Sequence, residues 1–380
     1  MGPLLPSFFM VQVAFAPMPP PWSTALAEIE VDATIYGAGM FRLHFDLSKN
    51  VIGDFDALVF DLFRPLVPIR ISLSFGLGLP LTIINGFVRD AQLTVGNEPG
   101  SARLEVTGAD ALGTTMGLVQ QPMPWPNMPD SLIVAAIFGK YAIVPMVTPT
   151  PPTRTILGTT SLQQARDSAF VQQAAGFHSY EVFIQPDPLV GLDIGHFMPV
   201  SLMLNAPPQG VLSIDFGSQT NLTSFQMTNQ MLRPSMVRST FIDSDTRAPA
   251  TVFVPLAGEM PMGREPSLTR ILPPPIEISS SNEAANIAEK VLQATAQVTD
   301  SARTVQASGE VDGLKFGRPL LPGLPVLIRG AGNQHSGLYL VTGVSHRISR
   351  DGYTQSFQAM RNAVGLTSPV GFVDLLAPVS

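Results

Sequence analysis

Between Glu28 and Leu47 apolar side chains recur at every second position: Ile29, Val31, Ala33 and Ile35, then Phe41, Leu43, Phe45 and Leu47, with Tyr36-Gly37-Ala38-Gly39 between the two runs. A period of two places alternate side chains on opposite faces of an extended chain, so this stretch is two half-buried strands joined by a hairpin turn. The same pattern returns over 67–75, 81–95 and 102–107, punctuated by Gly76-Leu77-Gly78, Gly96-Asn97-Glu98-Pro99-Gly100 and Gly108. Short strands at this spacing predict an antiparallel barrel or sandwich over residues 25–112.

Ahead of it, residues 1–24 carry six prolines and read as an extended arm. Its alternating piece, Phe9 to Phe15, is able to add as an edge strand and clamp a neighbour. Residues 113–190 read as a small α/β domain. Asp130 caps an apolar helix over 131–138, Ser161 and Gln164 form a capping box for a helix ending at Gly176, and a strand follows over 177–184. Residues 191–242 open a second β-barrel, with strands at 201–205, 211–216 and 222–227. Residues 243–310 are a polar loop plus a helix, which Ser280 and Glu283 start. Its stripe of Ile287, Val291, Ala294, Val298, Ala302 and Val305 repeats at three and four residues and ends near Ser308-Gly309. That narrow seam predicts a helix lying outside the second barrel, bridging to Pro322-Gly323. Strands over 325–329, 338–347 and 353–361 close the barrel within 311–365, and 366–380 is a tail. The fold class is mainly β with α+β insertions: two barrels, a small α/β domain and one long helix.

Composition decides what such a chain does not do. Cysteine is absent, which removes disulfides, thiolate metal sites and cysteine nucleophiles together. Charged residues make up 13% of the chain, about half the usual share, while the apolar share is an ordinary 45%. A surface so short of charge belongs either in a membrane or against other subunits. No apolar run reaches the 18 or so residues of a spanning helix, and no basic residue precedes Arg42 to make a signal peptide, so no stable membrane insertion is expected and assembly in the cytoplasm is. The net charge of −7 argues against nucleic-acid binding.

The order of these pieces resembles the phage late control gene D family, the hub proteins of contractile tails. The residues that carry the resemblance are Leu321-Pro322-Gly323-Leu324-Pro325-Val326, the run from Ser336-Gly337-Leu338-Tyr339 to Ser345-His346, and Gly352-Tyr353-Thr354-Gln355-Ser356-Phe357 with Asn362 behind it. Upstream, Ile84-Asn85-Gly86-Phe87-Val88 and Leu104 to Asp110 are similar to the family's first-barrel strands, so the resemblance spans about residues 25–365. It implies tube-like barrels and a homotrimer of pseudo-sixfold symmetry. It also implies a non-enzymatic hub in the baseplate of a phage tail or extracellular injection system, joining a hexameric inner tube to a trimeric spike beside other baseplate proteins. No repetitive β-helix follows residue 365, so the spike is expected to be a separate chain.

Candidate sites are sparse. His346 ends its strand alone, and the five histidines (His44, His178, His196, His335, His346) show no metal-ligand spacing. Asp243 and Asp245, like Asp54 and Asp56, read as solvated loop carboxylates. The glycines of 37–39 and 330–332 lack the third glycine and helix of a phosphate loop. Asn221-Leu222-Thr223 matches a glycosylation acceptor only formally. No catalytic, cofactor-binding or metal residue is expected. The alternatives are a hub-associated cell-wall hydrolase, for which no spare domain is present, and a lipid-facing or carbohydrate-binding β-protein. The latter would need exposed aromatic clusters, whereas Trp22 and Trp125 fall in proline-rich connectors.

Overall fold

A computed structural model describes residues 8–49, 55, 62–76, 78–97, 100–118, 120, 122–150, 161–230, 232–243, 246–256, 261–267, 276–285 and 287–366. The protein is mainly β with α+β insertions, built on one long antiparallel sheet. Its first part comprises β1 (Phe8–Val13), β2 (Ala16–Pro17), α1 (Pro20–Ala25), β3 (Leu26–Thr34), β4 (Met40–Leu47), β5 (Pro68–Ser74), β6 (Leu81–Thr94) and β7 (Ala102–Ala109). The alternation seen in the sequence is that of burial: Ile29, Val31, Phe41, Leu43 and Phe45 are all at most 1% exposed and form one core with Ile69, Ile71 and Val106. The amino-terminal strand differs from the expected clamp, because β1 pairs with β5 of its own chain, from Phe8 opposite Ser74 to Val13 opposite Ile69. Trp22 also differs from its expected place in a connector. It is 1% exposed, edge-on to Phe45 and Phe63, and belongs to the first core.

The α/β unit holds β8 (Met123–Trp125), α2 (Asp130–Lys140), β9 (Val144–Val147), β10 (Ser161–Gln163), α3 (Asp167–His178), β11 (Tyr180–Pro186) and β12 (Asp193–Pro199). Ser161 and Gln163 lie in a strand against Trp125 and Met123, so the expected capping box is not formed and α3 starts at Asp167. Its left-handed C-cap is Ser179, three residues beyond Gly176. Asp130 sits inside α2, its carboxylate held 2.8 Å from His178 Nε2, and the Ser131 amide is capped by the Thr150 hydroxyl at 3.0 Å. A side chain from another element has replaced the local cap.

The second part begins with α4 (Val200–Met203) where a strand was expected, then β13 (Val211–Ser213) and β14 (Leu222–Asn229). An excursion follows: β15 (Met236–Asp243), β16 (Pro249–Pro255), β17 (Glu265–Pro266), β18 (Ile276–Ala285) and α5 (Ile287–Ala302). The expected start of the long helix at Ser280–Glu283 is strand β18 instead, paired in parallel with β15. The chain then returns as β19 (Val305–Asp312), α6 (Gly313–Phe316), β20 (Pro325–Arg329), α7 (Gly332–His335), β21 (Gly337–Ser349), β22 (Gly352–Arg361) and β23 (Ala363–Val364). Val305, the last residue of the expected stripe, and Ser308-Gly309, its expected end, are strand residues of β19. Strands β13, β20, β21, β22, β19 and β14 follow one another by pairing. The gap between the ends is bridged by Asn221, whose Oδ1 accepts from the Ser213 amide at 2.7 Å and whose Nδ2 donates to the Val211 carbonyl at 3.0 Å. Its own amide donates to the Ser213 carbonyl at 3.1 Å.

Helix α5 packs on β15, β16 and α3 and not along the barrel toward Pro322-Gly323. Ala294 and Val298 are buried against Val237, Val254 and Leu256, while Ile287 and Val291, at 49% and 39% exposed, overhang the small sheet. The sequence stripe is continuous, but only its carboxy-terminal half is buried.

Candidate assembly face

Strand β21 pairs with β22 on one side and β3 on the other, which fuses the two parts into one sheet. Eight strands run in the order β14, β19, β22, β21, β3, β4, β7, β6, four from each part. Because alternate side chains go inward, the outward rows across this sheet are largely polar. One row reads Ser224, Glu310, Ser356, Ser345, Asp32, Met40 and ends at Ala109 and Phe87. Another reads Thr354, Arg347, Glu30, Arg42, Thr107, Asp90. The face is concave over β14, β19, β22, β21 and β3, where it encloses a hollow of about 700 Å³. A second hollow of about 760 Å³ adjoins it, reaching Tyr36, Glu181, Arg233 and Arg303.

The face has two chemically distinct halves. On β14, β19 and β22 it is made of Ser224, Gln226, Gln306, Ser308, Ser356 and Gln358, with Glu310 as the charge. From β21 to β6 it is a lattice of cross-strand ion pairs: Arg42 to Glu30 at 2.9 Å and to Asp32 at 3.8 Å, Arg103 to Asp46 at 3.6 Å, and Arg347 on Glu28. Such exposed pairs contribute little stability. Among the described residues one group has the spacing to hold a metal, Glu28, Glu30 and His44. Both of its carboxylates already carry a guanidinium, so the arrangement is accounted for by ion pairing.

Both ends of this eight-strand run carry stretches without a ladder partner among the described residues. Strand β14 has β19 on one side and no ladder partner on the other among the described residues. Strand β6 pairs with β5 only over Leu81 to Phe87, and its next stretch, Arg89 to Thr94, pairs with β7 alone and is exposed at all six positions. Unprotected edges of this length are templates for another chain.

The sites weighed from the sequence lie elsewhere. His346 is 1% exposed, its Nδ1 2.8 Å from the Tyr353 hydroxyl, and burial drives its pKa down to about 3. It is a neutral packing residue. His196 stacks on Phe183 at 4.5 Å, and burial lowers it to about 4. Asp243 is buried and accepts from the Thr246 amide at 3.1 Å and hydroxyl at 2.6 Å, closing its own turn. Asp245, Asp54 and Asp56 lie outside the described residues. Two carboxyls that the sequence did not single out are perturbed as well. Burial raises Asp110 to about 7 although it accepts amides from Gly39 and Gly113, and burial raises Glu181 to about 7 although Arg303 stands 3.4 Å away. Both sit where the α/β unit meets the sheet. No helix among the described residues is long and apolar enough to cross a membrane.

Neither a family model nor a curated protein matches this sequence. Solved structures do. A tail protein from Neisseria meningitidis MC58 is 14% identical with a TM-score of 0.63, covering 95% of this chain and 98% of that one. The 43 kDa tail protein of prophage MuSo2 from Shewanella oneidensis is 12% identical with a TM-score of 0.67, covering 94% and 99%. A component of the Escherichia coli type VI secretion system, described as structurally similar to the T4 bacteriophage tail proteins gp27 and gp5, is 13% identical with a TM-score of 0.57, covering 92% of this chain and 76% of that one. This chain has the fold of phage tail and type VI secretion proteins.

Proposed function

We propose that this protein is a structural hub of a contractile baseplate, in which three copies join edge to edge into a ring. The free edge of β14 on one copy receives the Arg89 to Thr94 edge of β6 on the next. What carries the reading is the sheet itself: eight strands in two four-stranded halves, polar and concave on one side, apolar on the other, open at both ends. Three copies contribute about 24 strands, and at a strand spacing of about 4.8 Å the ring is roughly 37 Å across with its polar rows inward. Six similar halves around the axis suit a hexameric tube on one side, and the threefold repeat suits a trimeric spike on the other. The shared fold with tail proteins supports the setting, a phage tail or a related injection machine. The function is mechanical, with the inner wall acting as a conduit.

The test is the mass of the purified chain by size exclusion with light scattering. Three times the 40.6 kDa chain is expected, with a ring visible by negative-stain microscopy. A stable monomer at micromolar concentration refutes the ring, since two free edges and so little surface charge would then have no partner.

A further inference from the structure

The α/β unit is seated on the long sheet through strand β11. Val182 and Ile184 point into the unit's own core, so alternation turns Glu181, Phe183 and Gln185 the other way, toward the sheet. Phe183 is 2% exposed and packs with Ile35, Leu340 and Met360. The middle of the seam is therefore apolar, and a carboxyl stands at each end of it.

At the first end is Glu181, its side chain 16% exposed. Arg303 reaches it at 3.4 Å, but the same guanidinium nitrogen lies closer to Asp300, at 2.9 Å, and the Asp300 charge opposes ionisation of Glu181. Tyr36 and Arg233 complete the wall around this group. At the second end are Asp193, paired with Pro186 across β12, and Asp110. Asp110 is 2% exposed. Its Oδ2 accepts the Gly39 amide of the β3–β4 turn at 2.7 Å and its Oδ1 the Gly113 amide at 3.0 Å. Because the chain enters the α/β unit through residues 110–113, this carboxyl ties the entry hinge to the sheet.

Asp193 Oδ1 accepts from Asn85 Nδ2 at 2.9 Å. Arg70 is the cation at this end, and its hydrogen bonds go to Asn85 Oδ1 at 2.9 Å and to the Gly191 carbonyl at 3.0 Å. Among the described residues neither Asp110 nor Asp193 bonds a cation, and His346, which shares the space with them, is neutral. The gap lined by Asn85, Asp110, Gln185 and His346 amounts to about 10 Å³, room for one water at most. A carboxylate shut in this way is costly to ionise and much less costly to protonate. Burial accordingly raises Asp193, as it raises Asp110 and Glu181.

We infer that this seam is a proton-operated latch: protonation of Asp110, Asp193 and Glu181 seats the α/β unit on the sheet, and their ionisation loosens it while both parts stay folded. Released into water, the three groups would ionise near about pH 4. Seating is therefore strongest below that pH and weakens as pH rises through about 7, where Asp110 and Glu181 lose their protons in the seated state. The latch lies within one chain and does not depend on the ring.

Hydrogen–deuterium exchange of the full chain at about pH 5 and about pH 7.5, with labelling times scaled to the intrinsic exchange rate, reads the latch segment by segment. Peptides holding Gly39, residues 110–113 and residues 181–193 are expected to lose about tenfold or more of their protection at the higher pH, and those of β22 to keep theirs. A chain with Asp110→Asn, Asp193→Asn and Glu181→Gln keeps neutral acceptors at all three places and is expected to show equal protection at both pH values. Asp193→Asn alone, at the more open end of the pair, is expected to shrink the parent's ratio by about threefold or more, which keeps the test decisive if the triple variant does not fold. Equal protection at the two pH values in the parent, or a parent-like ratio in either variant, overturns the latch whatever the oligomeric state.

Discussion

Replacing Asn221 with alanine tests whether a single side chain closes the second barrel. Its two hydrogen bonds, 2.7 Å from the Ser213 amide and 3.0 Å to the Val211 carbonyl, satisfy backbone groups of residues only 1% and 4% exposed. An orphaned buried donor or acceptor costs about 1–3 kcal/mol, and because Asn221 is itself half-buried, water partly rescues each group. The expected loss is about 2–4 kcal/mol, a large part of the stability of an ordinary domain. Urea denaturation followed by far-ultraviolet circular dichroism at fixed protein concentration reads it as a lowered midpoint with an unchanged slope. Asn221→Asp separates bridging from mere occupancy. A carboxylate still accepts from Ser213 but turns an oxygen against the Val211 carbonyl, so this variant should be as unstable as alanine at neutral pH. It should recover as pH falls toward 4, where the protonated acid can donate. Asn221→Ala within about 0.5 kcal/mol of the parent would show that the backbone bond from Asn221 to Ser213 closes the barrel alone.

Helix α5 should respond to position along its seam: Val298→Asp, against Val237 and Leu256, is expected to cost about 3 kcal/mol or more in thermal or urea melts, and the overhanging Val291→Asp about 1 kcal/mol or less. Equal effects would mean that the overhang is packed. His346 is held neutral, with its pKa lowered from 6.5 to about 3, so its contribution is fully present above pH 6.5 and is lost as pH falls from 6.5 toward 3, because the unfolded chain takes up the proton first. His346→Gln should flatten that acid limb in melts across pH, and an unaltered limb would assign it to other groups. A β-carbon on Gly108 would collide with the Phe41 ring and the Phe87 carbonyl, so Gly108→Ala should cost about 2–3 kcal/mol by urea titration. A neutral result would mean that β6 and β7 are farther apart than described.

The strands of the first part were readable because one face is buried and the other wet, which writes period two into Ile29 to Leu47. The excursion was not readable for the opposite reason. On β16 Val252 and Val254 face α5, but Phe253 on the opposite side is apolar too, so no alternation survives. Val305 misled because it follows Ala302 at helical spacing, whereas the chain has already turned into β19 and buries Val305 in the barrel core. Capping boxes at Ser161 and Ser280 were overridden by strand pairing, a tertiary effect that local chemistry does not report. The polar face was present in the sequence as the second half of each alternation. Its continuity across both parts depends on β21 pairing with β3, residues more than three hundred apart, and no local pattern carries that. Asn221 stood out in the sequence only as a formal glycosylation match, because a bridging amide leaves no periodic trace.

The excursion between β14 and β19 leaves and returns at one point, where the Gln230 amide donates to the Thr304 carbonyl at 2.9 Å. For a newly made chain this orders events in time. A disordered segment of that length between two pairing strands costs roughly four doublings of loop length over a tight turn, about 2–3 kcal/mol. Once Val237, Ala294 and Val298 have condensed, the same segment acts as a short hinge and β14 can zip onto β19 as a hairpin. The outermost strand of the sheet is thus completed late, after its guard has folded, and the chain spends little of its early life with an adhesive edge on offer.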